Sequence, residues 1–171
     1  MTELTLVTAA EPSTGPTTEP TVPSRRPTDV VTEFFDAYRR RDVEAMVDLC
    51  TDNADFSYIP FEVWAKQRVM RGDGKVRTIG KVIWSGLINA FPNLSNVVHH
   101  IDGNDDGDVA VACDITGTQQ SAWAFIAPQG GSIVAPHLFL MHVNRDGLID
   151  SIRAYWDNAD VCRQLGHLEV D

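Results

Sequence analysis

The feature that most constrains this chain is its C-terminal stretch from Ala135 to Gly166, APHLFLMHVNRDGLIDSIRAYWDNADVCRQLG. Leu138 to Val143 is an apolar run, and Leu148 to Asp157 reads as a second strand. Between them, Asn144-Arg145-Asp146-Gly147 carries turn chemistry, because Gly adopts positive φ at little steric cost. The pair is predicted as a β-hairpin. A polar break follows, then a short amphipathic tail, Asp160 to Leu165, closed by Gly166. A long hairpin at this end implies a sheet onto which the upstream elements pack.

Residues 1–27 are rich in Thr, Pro, Ser and Glu and poor in large apolar side chains. Such a segment cannot offset its ordering entropy, so it is predicted as a disordered tail with no part in function, and the domain as residues 28–171. Thr28-Asp29 reads as an N-cap for a helix carrying Val30, Val31, Phe34, Phe35 and Tyr38 on one face. Arg39-Arg40-Arg41 reads as its solvated end. A second helix follows Asp42, with Val43, Met46, Val47 and Cys50 on one face, and Thr51-Asp52-Asn53 breaks it. Asp55 to Ile59 is predicted as a short strand, residues 59–71 as a lid or a short core helix, Gly72 to Gly74 as a turn, and Lys75 to Phe91 as an amphipathic helix. Strands are predicted over Asn96 to Ile101, Asp108 to Thr118 and Ala122 to Ala127, with an acidic hairpin turn at Asp102 to Asp108. That turn resembles a calcium loop in composition only. Helices first and strands later indicate an α+β fold. It is expected to be a cone-shaped barrel in which a curved antiparallel sheet wraps on the N-terminal helices around an apolar cavity.

Charge excludes some functions. The net charge of −10 argues against nucleic-acid binding and against an anionic membrane surface. Three scattered cysteines, Cys50, Cys113 and Cys162, make neither a disulfide framework nor a metal signature and read as buried. No apolar run is long enough to span a bilayer. A cytoplasmic protein is expected, with no cofactor and no metal; the Gly-Asp-Gly at Gly72 to Gly74 is not a phosphate loop.

Four pieces resemble a known superfamily: VVTEFFDAYRRRDVEAMVDLCTDNADFSY, GLINAFPNLSN, DITGTQ and DGLIDSIRAYWDNADVCRQLG. Together they make the domain similar to the nuclear transport factor 2-like superfamily, and most similar to its SnoaL-like polyketide cyclase branch. The resemblance implies a hydrophobic small-molecule substrate and a homodimer contact on the outer sheet face, with His142 and Arg153. In SnoaL-like cyclases and limonene-type epoxide hydrolases an essential Asp lies on the last strand; the matching position here is Ala154, which counts against both mechanisms. Weaker similarity to scytalone dehydratase implies that Tyr38 and Tyr58 hold a water against the substrate, with a His on the first long strand.

The candidate catalytic residues are therefore Tyr58, His100, His137, Tyr38 and Asp114. Tyr58 ends a strand, where a phenol could orient a water or donate to a carbonyl oxygen. Tyr38 matters only if its hydroxyl converges with that of Tyr58. His99 and His100 are neighbours on a strand, so one is expected to face the cavity; the pattern does not choose, and His100 is preferred slightly. His137 shares a face with Phe139 and Met141, while His142 falls on the other face. Asp114 shares parity with small residues and is expected on the outer face; were that face the cavity, it would be the acid/base candidate and could support epoxide opening. Asp157 is expected to cap the terminal helical turn. Trp64, Trp123, Phe139 and Trp156 are the candidate substrate walls, with Trp156 as the floor. The expected activity is acid–base cyclisation, dehydration or isomerisation of a polyketide- or terpenoid-like intermediate. The rival is a non-catalytic binding or assembly module that kept the cone and lost the chemistry, which Ala154 favours.

Overall fold

The computed structural model describes residues 25–61 and 71–167. In chain order its elements are α1 (Pro27–Arg39), α2 (Val43–Asp48), β1 (Cys50–Phe61), β2 (Gly72–Lys75), a π-helical turn (Val76–Gly80), α3 (Lys81–Ala90), β3 (Ser95–Gly103), β4 (Asp108–Thr118), β5 (Ser132–Val143), β6 (Ile149–Asp157) and α4 (Asn158–Gln164). The six strands form one sheet in the order β2-β1-β6-β5-β4-β3, with the helices gathered on its inner face. The fold is α+β, as expected. The sheet is mixed rather than wholly antiparallel, because β6 runs parallel to β1 and antiparallel to β5.

That placement of β6 lines up the inner face. One row across the sheet reads Tyr58, Ala154, Phe139, Val111; the next reads Pro60, Trp156, His137, Cys113. Period-two alternation sends all of these inward, and all are buried. The helices cover the same face: Phe35 of α1 meets Phe139 edge-on at 5.1 Å, and Trp84 of α3 meets Phe34 at 5.5 Å and Phe56 at 5.2 Å. Each buried aromatic ring removes ~150–250 Å² from water, worth several kcal/mol at about 25 cal/mol per Å².

Several boundaries differ from the sequence reading, each for a physical reason. The described part of the expected tail is Arg25 to Pro27, and Pro27 already opens α1, where a missing N–H costs nothing. Arg26 is the N-cap residue and makes no side-chain cap; Asp29 instead pairs with Arg26. Arg39 and Arg41 are braces rather than a merely solvated helix end. Arg39 donates to the Asn96 side chain and backbone, and Arg41 donates to Leu94 O at 3.1 Å. Thr51 to Asn53 belong to β1, across an irregularity between Cys50 and Asp55. Gly72 to Gly74 form a strand rather than a turn, pairing with β1. A Cβ at Gly74, whose φ is 151°, would lie 2.7 Å from Ile79 Cγ1, so glycine lets the following helical turn close onto the strand. The expected helix at Lys75 therefore begins as a π-helical turn at Val76 and becomes α3 at Lys81. Ala122 to Ala127 is not a strand. Trp123 and Ile126 bridge a tight turn, with Ala124 at φ 50°.

β5 outruns β6, and the pairing between them starts at His137. The Gln164 side chain covers part of the overhang, accepting from Val134 N at 2.7 Å and donating to Val134 O at 3.1 Å. Pro136 lies on the same side of the strand by alternation, so its missing N–H falls where no β6 partner exists. Asp157 caps α4, accepting from Asp160 N at 3.0 Å, as expected.

The outer sheet face carries two histidine–carboxylate pairs. His142 Nδ1 lies 2.7 Å from Asp150 Oδ1, and its Nε2 lies 3.2 Å from Asp106 O. Both neighbours are acceptors, so the doubly protonated ring satisfies both, and the Asp150 bond raises the His142 pKa above its usual value. A raised folded pKa means stabilisation that is full below the unfolded value of about 6.5 and is lost as pH climbs through the folded value. On thermal melts between pH 5.5 and 8.5, wild type should lose Tm relative to Asp150→Asn. The pair is partly exposed, so the difference should be only about 2 °C. An equal pH response in both proteins would refute the role given to this pair.

Candidate active site

The sequence-predicted residues separate into two groups. Tyr58 and His137 come together, although 79 residues separate them in the chain: Tyr58 Oη lies 3.2 Å from His137 Nε2. Both side chains are enclosed, with Tyr58 5% and His137 8% exposed. Their meeting follows from β6, which holds β1 and β5 on either side. Tyr58 faces Ala154 across one interface, and His137 faces Trp156 across the other.

The hydrogen bonds define the proton positions. His137 Nδ1 is 2.8 Å from Ala135 O, an acceptor with no proton to give, so Nδ1 carries the hydrogen. Burial lowers the His137 pKa to about 4, against the smaller opposing effect of the Ala135 hydrogen bond, so the ring is neutral at pH 7. Nε2 is then a bare lone pair, and Tyr58 O–H donates to it. Burial raises the Tyr58 phenol well above its usual value, and the charge that Tyr38 would carry if ionised pushes the same way. The dyad is therefore a neutral phenol donating to a neutral imidazole.

Around it is a wall of near-parallel rings. Trp156 stacks on Tyr58 with centroids 4.9 Å apart at 15°, and on His137 at 6.2 Å and 10°. Phe139 stacks on His137 at 5.8 Å and 19°. Trp123 tilts against Trp156 at 5.8 Å and meets Phe91 edge-on at 5.9 Å. Trp156, Trp123 and Phe139 are thus all buried in this ring stack on the inner face. Trp64 lies outside the described residues. A cleft of about 330 Å³, lined by Tyr58, Pro60, Arg71 and Asp73 among others, opens beside Tyr58.

Tyr38 is buried on α1, and burial raises its phenol too. Among the described residues no hydrogen bond joins it to the dyad.

The second group faces away. His100 is exposed, and so is His99, which corrects the expectation that one of them enters the cavity. The pairing shifts between Val98 and His100, so His99 is a bulge residue and strict alternation fails there. Asp114 lies on the outer face and pairs with His99 Nε2 at 3.0 Å. It cannot serve the Tyr58–His137 centre. Among the described residues no group of three or more His, Cys, Asp or Glu side chains is arranged to hold a metal ion, and no helix is long and apolar enough to cross a membrane.

Three buried amides, Gln119, Asn96 and Asn158, escaped the sequence reading. Gln119, at the end of β4, donates from Nε2 to Ser121 O at 3.1 Å and Ile126 O at 3.0 Å, pinning the turn that carries Trp123. Asn96 donates to Phe35 O at 3.0 Å and accepts from Arg39, tying β3 to α1. The available signal was parity: Gln119 continues the inward series of Ile115 and Gly117, and a polar residue on an inward position needs partners.

Comparison with known proteins agrees with this architecture. A family model described as a SnoaL-like domain matches residues 31–152. Among solved structures, AclR of Streptomyces galilaeus, a proposed hydroxylase, superposes with a TM-score of 0.67 at 18% identity, over 84% of this chain and 86% of that one. IdmH of Streptomyces antibioticus, a proposed polyketide cyclase, gives 0.64 at 22% identity, over 83% and 99%. A Bacillus subtilis protein, a proposed isomerase, gives 0.61 at 16%, over 84% and 94%. No curated protein matches the sequence. The extent of the family match and the shared cone together show that this chain belongs to the SnoaL-like family, with the nuclear transport factor 2-like fold.

Proposed function

We propose that this protein is a small cofactor-independent enzyme of secondary metabolism that moves a proton on a hydrophobic, carbonyl-bearing polyketide- or terpenoid-like substrate. The observation that carries the reading is the buried Tyr58–His137 hydrogen bond with its tautomer defined by Ala135 O. Family membership and neighbours described as cyclases and isomerases support the same class.

In the proposed cycle the substrate carbonyl takes the Tyr58 O–H in place of His137. The freed Nε2 lone pair then takes the proton from the carbon beside that carbonyl. The C–H electrons form an enolate that Tyr58 stabilises by hydrogen bonding. With a pKa of about 4, the imidazolium is a strong acid and does not keep the proton. Handing it to a β-hydroxyl that departs as water is dehydration; returning it to another carbon is isomerisation; attack of the enolate on a second carbonyl is cyclisation. So weak a base needs an acidified C–H, which the Tyr58 contact supplies.

A non-catalytic binding module is the second reading, favoured by Ala154, which is buried between Tyr58 and Phe139 in the row where relatives with a working Asp carry it. Epoxide opening through Asp114 has no support from its outward position.

The test uses 3-hydroxy-1-tetralone, which becomes 1-naphthol on losing water and is read by absorbance. Wild type should accelerate this reaction, and Tyr58→Phe and His137→Gln should each lower kcat/KM by about 10²-fold or more. No acceleration by wild type, or variants as active as wild type, would favour the binding module. The lowered His137 pKa sets the pH dependence. The base is in its working form above about 4, so kcat/KM should stay level from pH 5 to 9 and fall only below about 5. An acid limb centred at 6.5 would refute the buried neutral histidine.

We also propose that the outer sheet face mediates a homodimer. Val97, Val134, Leu138 and Leu140 are exposed there, beside a groove of about 630 Å³ that includes His142 and Arg153. On light scattering, wild type should have the mass of a dimer and Leu138→Lys that of a monomer; a monomeric wild type would end the proposal.

A further inference from the structure

The indole of Trp156 is the polar group in this wall that the mechanism leaves unused. Trp156 is 1% exposed, and among the described residues its Nε1 has no hydrogen-bond partner. A buried N–H left unmade carries an uncompensated desolvation cost, and buried indoles ordinarily find an acceptor. The rings stacked on Trp156 bond elsewhere, Tyr58 donating to His137 and His137 to Ala135 O. Trp156 Nε1–H can donate but not accept, and no described residue accepts from it; the other buried side-chain polar atom without a partner among them is Gln119 Oε1, an acceptor beside the turn that carries Trp123. An unpaired buried donor on the same strand row as the catalytic imidazole is what a site prepared for an incoming oxygen looks like.

We infer that Trp156 is a substrate-orienting residue whose Nε1–H donates to a second oxygen of the bound molecule, beside the carbonyl oxygen that Tyr58 engages. This rests on the proposed function of the Tyr58–His137 site and narrows it. The substrate carries at least two oxygens on one ring system, and the second is an acceptor, either a carbonyl or a hydroxyl. The stacked rings of Tyr58 and Trp156 set the plane along which such a molecule lies. A single-oxygen analogue satisfies Tyr58 and leaves the indole unpaired, so it is held less tightly and less uniquely.

The test compares two probes that differ by one hydroxyl, 1-naphthol and 1,3-dihydroxynaphthalene, by calorimetric titration of the full chain. Wild type should bind the dihydroxy probe about tenfold more tightly. Trp156→Phe keeps a ring in the wall but removes the N–H, and should bring that ratio to about one. Tyr58→Phe should weaken both probes and leave the ratio near tenfold. In a second measurement that needs no folded variant beyond peak assignment, the indole proton resonance of Trp156 should move downfield with 1,3-dihydroxynaphthalene and much less with 1-naphthol. A ratio unchanged in Trp156→Phe, or an indole resonance that does not distinguish the probes, overturns the role of Trp156. If Tyr58→Phe still weakens both, the reading of the site survives that result. If neither probe binds wild type, or Tyr58→Phe binds both as wild type does, the site reading falls and this inference falls with it.

Discussion

Everything in the inner wall depends on one pairing, that of β1 with β6. β6 is the last strand of the sheet in sequence, yet it sits inside the sheet, parallel to β1 and antiparallel to β5. A hairpin between β5 and β6 alone would leave Tyr58 with no defined neighbour. Insertion of β6 beside β1 puts Tyr58 one strand from Ala154 and two from Phe139. Trp156 is put between Pro60 and His137. A one-residue slip of that register would turn Trp156 and Ala154 outward together and dissolve the ring stack. The small side chain of Ala154 belongs to this geometry. It lies between Tyr58 and Phe139 in the row, and a carboxylate there would need its own partners in a wall where Tyr58 and His137 are already bonded to each other.

Burial does two jobs with one cause. The apolar contacts that stabilise the cone also desolvate the dyad, and desolvation moves the two groups in opposite senses: the phenol up and the imidazole down. The gap between them widens, so the shared proton stays on Tyr58 across the physiological range. A charged centre in the same place would have required a counter-ion. A neutral one requires only shape, which suits a fold in which no described carboxylate is buried. The outer face follows the opposite rule: His99 and His142 are paired with carboxylates, and the partly exposed His142 is held toward its charged form.

The parts of this molecule that could be read from the chain are those written in local chemistry. The Asp146-Gly147 turn, the inward series Ile152, Ala154, Trp156, the outward parity of Asp114 and the cap at Asp157 each follow from a few adjacent residues. Tyr58 and His137 could each be picked as candidates, but their contact could not, since it joins strands whose pairing has no local signature. His100 failed for a related reason. Alternation assumes a regular ladder, and the bulge at His99 removes it without any glycine or proline to announce it. The Gly72 to Gly74 segment misled in the other direction: its glycines serve the close approach of Ile79 and Ile83 to a strand rather than a turn. Gln119 and the arginine braces carry their meaning in tertiary contacts alone.

The acceptor that orients His137 is the carbonyl of Ala135, two residues back on the same strand. In many enzymes that task falls to a carboxylate, which one mutation can remove and another can restore. A main-chain oxygen has no codon of its own. The imidazole here therefore inherits its tautomer from the path of β5, and substitutions at position 135 can change the packing around the ring without freeing its proton. Selection on this site can act on what the lone pair meets, through positions 58, 154 and 156, while the direction of the lone pair is held by the strand. Diversification of such a wall would then proceed by exchanging the partners of an unchanging imidazole.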